Sequence, residues 1–247
     1  FPLVPHDVSL YLISKIGCKG VDVGLFENRS HLQPSDQFID VKKSALQLKD
    51  RLQHYNLAPS DVFLQAELDM TVYAANHIDA NRRRHARDLY LKALEYAQYL
   101  ECGHLSALPG VTFPEEEYEA SFARCVEEHM WRVEEAKKAG IAFGVEAHVG
   151  SVVNTTDKAM ALLQSTPGLT LTLDYSHFVR QKEPDEAADK LLPYASHFHA
   201  RGARSGHLQT SLAENEIDFA RVLRKLAAIG YEHWICVEYA WTPTWED

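Results

Sequence analysis

The strongest constraint in this chain is an alternation. Seven short β-rich runs are each separated from the next by a helical pattern, and no hairpin turn joins any two of them. The runs are "GVDVGLF" at 20–26, "DVFLQAEL" at 61–68, "HLSALPG" at 104–110, "IAFGVEA" at 141–147, "LTLTLD" at 169–174, "SHFHA" at 196–200 and "WICVEY" at 234–239. Helices are expected at 7–17, 40–55, 80–102, from "PEEEY" (114–118) to Gly140, at 154–164, at 185–193 and at 216–229. Strands always linked through helices run parallel, and a parallel sheet needs those helices to cover its faces.

A doubly wound sheet and a closed barrel both fit this pattern. Seven parallel strands fall one short of eight, which favours the barrel. Residues 7–17 read as the helix that follows a first strand, yet only "FPLVPH" stands before them, and only "AWTPTWED" follows the last run. The expectation is a single (β/α)8 TIM-barrel domain over 1–247, truncated at both ends and lacking strand 1 and helix 8.

With 46% hydrophobic residues among 247, the chain can bury a core of that size. The net charge of -10 argues against a surface that tracks phosphates, so a nucleic-acid partner is not expected. Cys18, Cys102, Cys125 and Cys236 are widely spaced, as in a reducing compartment. No run approaches the roughly 18 apolar residues of a membrane span, and the expected location is the cytoplasm.

In a (β/α)8 barrel the chemistry sits at the C-terminal ends of the strands. The last four runs place Glu146, Asp174, His199 and Glu238 there. Three carboxylates and one imidazole make a hard donor set that suits Mn²⁺, Mg²⁺ or Co²⁺ better than a thiolate-rich structural zinc site does. Converging carboxylates repel one another unless a cation neutralises them.

"GVEAHVGS", "LTLDYSHF", "HFHARG" and "ICVEY", in that order, resemble the xylose-isomerase-like TIM-barrel superfamily of sugar phosphate isomerases and epimerases, grouped with AP endonuclease family 2. The resemblance spans about 20–240. It implies that Glu146, Asp174, His199 and Glu238 are the ligands of one divalent metal ion, manganese first and magnesium, cobalt or zinc as alternatives. Glu146 and Glu238 would double as the acid/base pair, and His177 would touch substrate. Arg201 and Arg204 compete for the role of a substrate-holding arginine. His148 is read either as a substrate or supporting contact or as a structural histidine, and His197 as a partner deeper in the strand.

The resulting expectation is a metal-dependent sugar isomerase or epimerase in carbohydrate metabolism, acting through an enediolate on a small sugar or polyol. The alternatives are a dehydratase or lyase on a keto-polyol, an endonuclease IV-like repair nuclease, and a noncatalytic barrel. Unpaired sheet edges would leave room for a second copy of the chain. Weaker candidates are Glu67, Asn76 and His77 in the loop after the second run, the basic stretch "NRRRHAR" (81–87), the "HVGSVVNTT" loop, and Trp241 and Trp245 after the last run.

Overall fold

A computed structural model describes residues 3–240. Its seven strands are β1 (Gly20–Phe26), β2 (Ala58–Gln65), β3 (His104–Ala107), β4 (Ala142–Val145), β5 (Thr170–Asp174), β6 (Ala195–Ala200) and β7 (Ile235–Val237). They pair in chain order, all parallel, in one nearly closed barrel. The helices are α1 (His6–Ile16), α2 (Pro34–Gln37), α3 (Val41–His54), α4 (Ala80–Leu100), α5 (Tyr118–Ala139), α6 (Thr156–Ser165), α7 (Ser176–Arg180) and α8 (Phe219–Ala228). None of them is long and apolar enough to cross a membrane.

Two expectations are corrected here. Pro114 and the acids after it form a turn rather than a helix start, and α5 opens only at Tyr118. The segment expected to be helical at 185–193 is a 3-10 helix, Asp185–Tyr194, with Pro193 inside it. A proline lacks the N–H that continued α-helical bonding would need. Trp241 and Trp245 lie outside the described residues.

Side-chain alternation sorts each strand into two faces. The outward face is apolar: Leu25, Val62, Leu64, Leu105, Val145, Leu171, Leu173 and Phe198 belong to the continuous core beneath the helices. β7 departs from this, with Ile235 and Val237 exposed. The inward face is polar. Asp61 lies 2.6 Å from His104 Nδ1, His104 Nε2 lies 2.7 Å from Ser196 Oγ, and Ser106 meets Thr172 at 2.5 Å. At the gap between the two sheet edges, a Cβ added to Gly20 would meet the Trp234 ring at 3.0 Å, so β1 and the approach to β7 lie close together.

Gly144 shows how tightly the interior is filled. A Cβ there would stand 2.6 Å from Thr172 Oγ1 and 2.9 Å from the Thr172 backbone nitrogen. Backbone cannot step aside as a flexible side chain can, so Gly144→Ala is expected to destabilise the protein by about 1–3 kcal/mol. Urea denaturation of the two proteins measures this directly; equal midpoints would mean the interior has slack.

Candidate active site

Four consecutive strands deliver one donor each. Asp174 ends β5 and His199 lies near the end of β6. Glu146 and Glu238 stand just beyond β4 and β7, where their backbone N–H groups continue the ladders by donating to Ala107 O (3.1 Å) and Ala200 O (3.2 Å). Parallel register carries all four to the same end of the barrel. One ligand atom from each of Glu146, Asp174, His199 and Glu238 lies within 4.8 Å of the others.

His199 sits at the centre. Its Nδ1 is 3.0 Å from Glu146 Oε1 and also 3.0 Å from Glu238 Oε2, while its Nε2 is 3.2 Å from Asp22 Oδ2. Only the Glu146 approach has hydrogen-bond alignment, which leaves the buried Glu238 Oε2 without a hydrogen-bond partner. Asp22, inward on β1, also holds His197 Nε2 at 2.8 Å and accepts from Ser60 Oγ at 2.5 Å.

Arg201 continues the inward series of His197 and His199. Fully buried, it bonds Asp174 Oδ2, Glu238 Oε1 at 3.2 Å and Ser176 Oγ at 3.1 Å, and its Nη2 lies 3.1 Å from His177 Nε2. Arg204 lies apart, in a short backbone bridge with His207, and among the described residues its side chain makes no hydrogen bond or ion pair with the cluster. α7 begins directly after β5, and its first turn brings His177 to 3.5 Å from Glu146 Oε2 and 3.6 Å from Asp174 Oδ2. The His148 ring lies 4.1 Å from that of His177, and its Nδ1 is 2.6 Å from Val149 O. Glu146, His148 and His177 form a second, overlapping group of convergent donors.

The charges follow from this packing. Burial works against every ionised group here, and the pairings overcome it. Burial alone would raise the Glu146 carboxyl, but the His177 and His199 imidazoles hold it well below the usual range. Likewise Asp22 is held low by His197 and His199 against its own desolvation. Glu238 is brought down to about 2, Arg201 and His199 outweighing its burial. His199 is pushed well above its ordinary value despite burial, by Glu238, Asp22 and Glu146. For His148 the balance goes the other way: burial, then the neighbouring His177, outweighs Glu146 and the Val149 carbonyl and lowers it to about 3, so it is neutral at pH 7.

Other sequence candidates have local work. Asn76 is buried as a loop staple, donating to Val111 O (2.7 Å) and Ser121 O (3.0 Å). His77 Nδ1 accepts from the Asp79 N–H, and its ring meets Phe113 edge-on. In "NRRRHAR", Arg83 and Arg87 both pair with Glu128. Two residues near the mouth escaped sequence reasoning. Asp22 carried a readable signal, a carboxylate at an inward position of an otherwise apolar strand. Arg29, half-buried in the loop after β1, carried none; burial lowers its pKa, and it lies near enough to Glu238 and Glu146 to feel their charge.

The lowered pKa of Glu238 sets a stability window. A carboxyl whose folded pKa is depressed contributes stability that is fully present above its unfolded value and lost as pH falls through the folded one. Chelator-treated protein should therefore lose thermal stability as pH falls from 4.5 to about 2, and E238Q should show a shallower decline over that range. Melting temperatures against pH for the two proteins test this; parallel curves would mean that Glu238 gains nothing from its partners.

A family model described as "Xylose isomerase-like TIM barrel" matches residues 10–247. Comparison with curated proteins yields no match. Among solved structures, the chain is similar to an AP endonuclease, family 2, from Brucella melitensis, at 22% identity over 97% of this chain and 89% of that one, with a TM-score of 0.76. It is similar to D-psicose 3-epimerase with D-tagatose from Clostridium cellulolyticum H10, at 14% identity over 95% and 79%, with a TM-score of 0.73. It is similar too to an IOLI protein with a bound zinc atom, at 18% identity over 94% and 82%, with a TM-score of 0.72. At these identities the likenesses show a shared fold.

Proposed function

The chain belongs to the xylose isomerase-like TIM-barrel family, and from that premise we propose that it is a divalent-metal-dependent sugar isomerase or epimerase acting on a small keto or aldo sugar or a related polyol. The observation that carries this reading is the convergence of Glu146, Asp174, His199 and Glu238 within 4.8 Å. The donor set fits a divalent ion. Its oxygens and single imidazole suit manganese, magnesium, cobalt or zinc, and the buried Glu238 Oε2, which makes no hydrogen bond, lies 3.0 Å from His199 Nδ1 among the other donors. We place manganese first because three of the four donors are carboxylates; the zinc atom in one structural neighbour belongs to the same range of ions.

A bound cation would polarise the substrate carbonyl and stabilise the negative charge of an enediolate. The chain's own residues do the rest. Glu146, ionised because His177 and His199 lower its pKa, takes the proton from the carbon beside the carbonyl. The proton then returns to the neighbouring carbon from Glu146 itself, or the opposite face receives one from Glu238, on the strand that closes the other side of the cluster, once Glu238 has taken up a proton from a substrate hydroxyl or from solvent. Arg201 and His177 offer N–H groups to substrate hydroxyls, Arg201 already holding both Asp174 and Glu238 in place. At the ends of β2 and β3 the chain carries Gln65 and Ala107 rather than histidines, which favours sugar chemistry over a multi-zinc nuclease centre.

Two variants test the reading. Glu146→Gln should cut deuterium exchange from solvent into the substrate C–H bond by ~10²–10⁴-fold with the fold intact by circular dichroism. Plasma mass spectrometry should find about one equivalent of metal in the wild type and none in His199→Ala. An E238Q variant with full turnover would overturn the two-glutamate mechanism, and a product lacking one water would place the enzyme among dehydratases.

A further inference from the structure

Behind the ends of β2 and β3, one buried cation forms no ion pair among the described residues. Arg132, on α5, is 4% exposed, yet its guanidinium makes no hydrogen bond and no ion pair among the described residues. Its Nε is sealed from solvent without a partner. The nearest carboxylate, Glu128 one helical turn earlier, is already claimed: Arg87 bonds its two oxygens at 2.8 and 3.0 Å, and Arg83 Nε lies 3.3 Å away. The flat face of the guanidinium rests over the Tyr90 ring at 4.9 Å. That contact leaves the in-plane N–H groups unanswered.

A buried guanidinium in this condition is costly unless something accepts its N–H groups. Burial lowers its pKa, and the opposing pull of Tyr90 and Glu128 does not make up for it. The structure also supplies space beside it. A cavity of about 50 Å³ is lined by Arg132 together with Leu64, Ala66, Ala86, Leu89 and Ala107. Since a water needs roughly 10–15 Å³ measured this way, the cavity holds a few waters or one small oxyanion. Glu67 and Asp69 stand on its lining too, but neither pairs with Arg132. Their charge disfavours a multiply charged guest.

We propose that this cavity is a binding site for a small planar monoanion, of the carboxylate or bicarbonate class, held by the fork of the Arg132 guanidinium. The planar fork matches two oxygens of such an anion with two parallel N–H···O bonds. The apolar wall formed by Leu64, Ala86 and Leu89 limits the organic part of the guest to a hydrogen or a methyl group. Because the cavity lies between the sheet and α4 and α5, behind the ends of β2 and β3, its occupancy bears on the stability of those elements and not on the identity of the donors at the mouth.

The test is thermal unfolding of the full chain at constant pH and ionic strength while sodium gluconate, too bulky to enter, is exchanged for sodium formate. The wild type should gain melting temperature saturably with formate, and acetate should compete. Arg132→Met should abolish the saturable part. Should that variant fail to fold, Ala86→Leu fills the cavity while leaving the guanidinium charge in place and must abolish the same response. A wild type that responds identically to formate and gluconate overturns the proposal, whether water or the Glu67 carboxylate then satisfies the arginine. A saturable response that survives in Ala86→Leu overturns it as well, by placing the anion elsewhere.

Discussion

Carboxylates crowded into one buried volume are the constraint around which this barrel is arranged. Two like charges 4 Å apart repel by about 4 kcal/mol at an effective dielectric constant near 20, and Glu146, Asp174 and Glu238 cannot avoid one another. The fold answers with cations on the neighbouring inward positions. His199 lies among Glu146, Glu238 and Asp22, and Arg201 spans Asp174 and Glu238. Because both cations sit on or just past β6, the placement of that strand decides whether the whole mouth is electrostatically tolerable. Its register against β5, Thr172 with His197 and Asp174 with His199, is therefore an electrostatic requirement as much as a packing one.

Below the mouth the same inward face stays polar, although barrel interiors are commonly filled by branched apolar side chains. Asp61, His104, Ser196 and Thr170 form one connected set, and Ser106 with Thr172 another. Apolar burial is displaced to the layer between sheet and helices, where Leu105, Val145, Leu171 and Phe198 lie. Two solvents are thus separated by a single sheet, and a one-residue slip of any strand would exchange them. The cost of such a slip, with carboxylates in the outer layer and leucines against the histidines, makes the register nearly self-enforcing.

That division explains what could be read from the sequence. The period-2 alternation in "LTLTLD" and "SHFHA" marks both the strands and their inward residues, so the architecture and the strand-end donors were legible without coordinates. Helix ends were less so: "PEEEY" has the composition of a helix start, yet the chain turns there and Tyr118 begins α5 after Glu117. The choice between Arg201 and Arg204 was not legible either, because both follow His199 within a few residues. Only continuation of the inward series places Arg201 among the carboxylates, whereas Arg204 enters a tight bridge with His207. Arg29 and Arg132 lay beyond sequence reasoning, since an arginine in a loop or on a helix reads as surface until the packing around it is known.

Asp22 has a consequence for how the molecule comes into being. Its bonds to His197 and His199 join residues 175 and 177 positions apart. Loop-closure entropy must be met before such contacts return anything, and folds dominated by distant pairings form slowly. As the chain leaves the ribosome, β1 through β5 can assemble while Asp22 still lacks both imidazoles. Glu146 and Asp174 are made early, but His199 gains its contact with Asp22 only when the sixth strand meets the first, so the full cluster is a late event in biogenesis. Chain order alone thus keeps the buried carboxylates waiting for their cations until the last strands arrive.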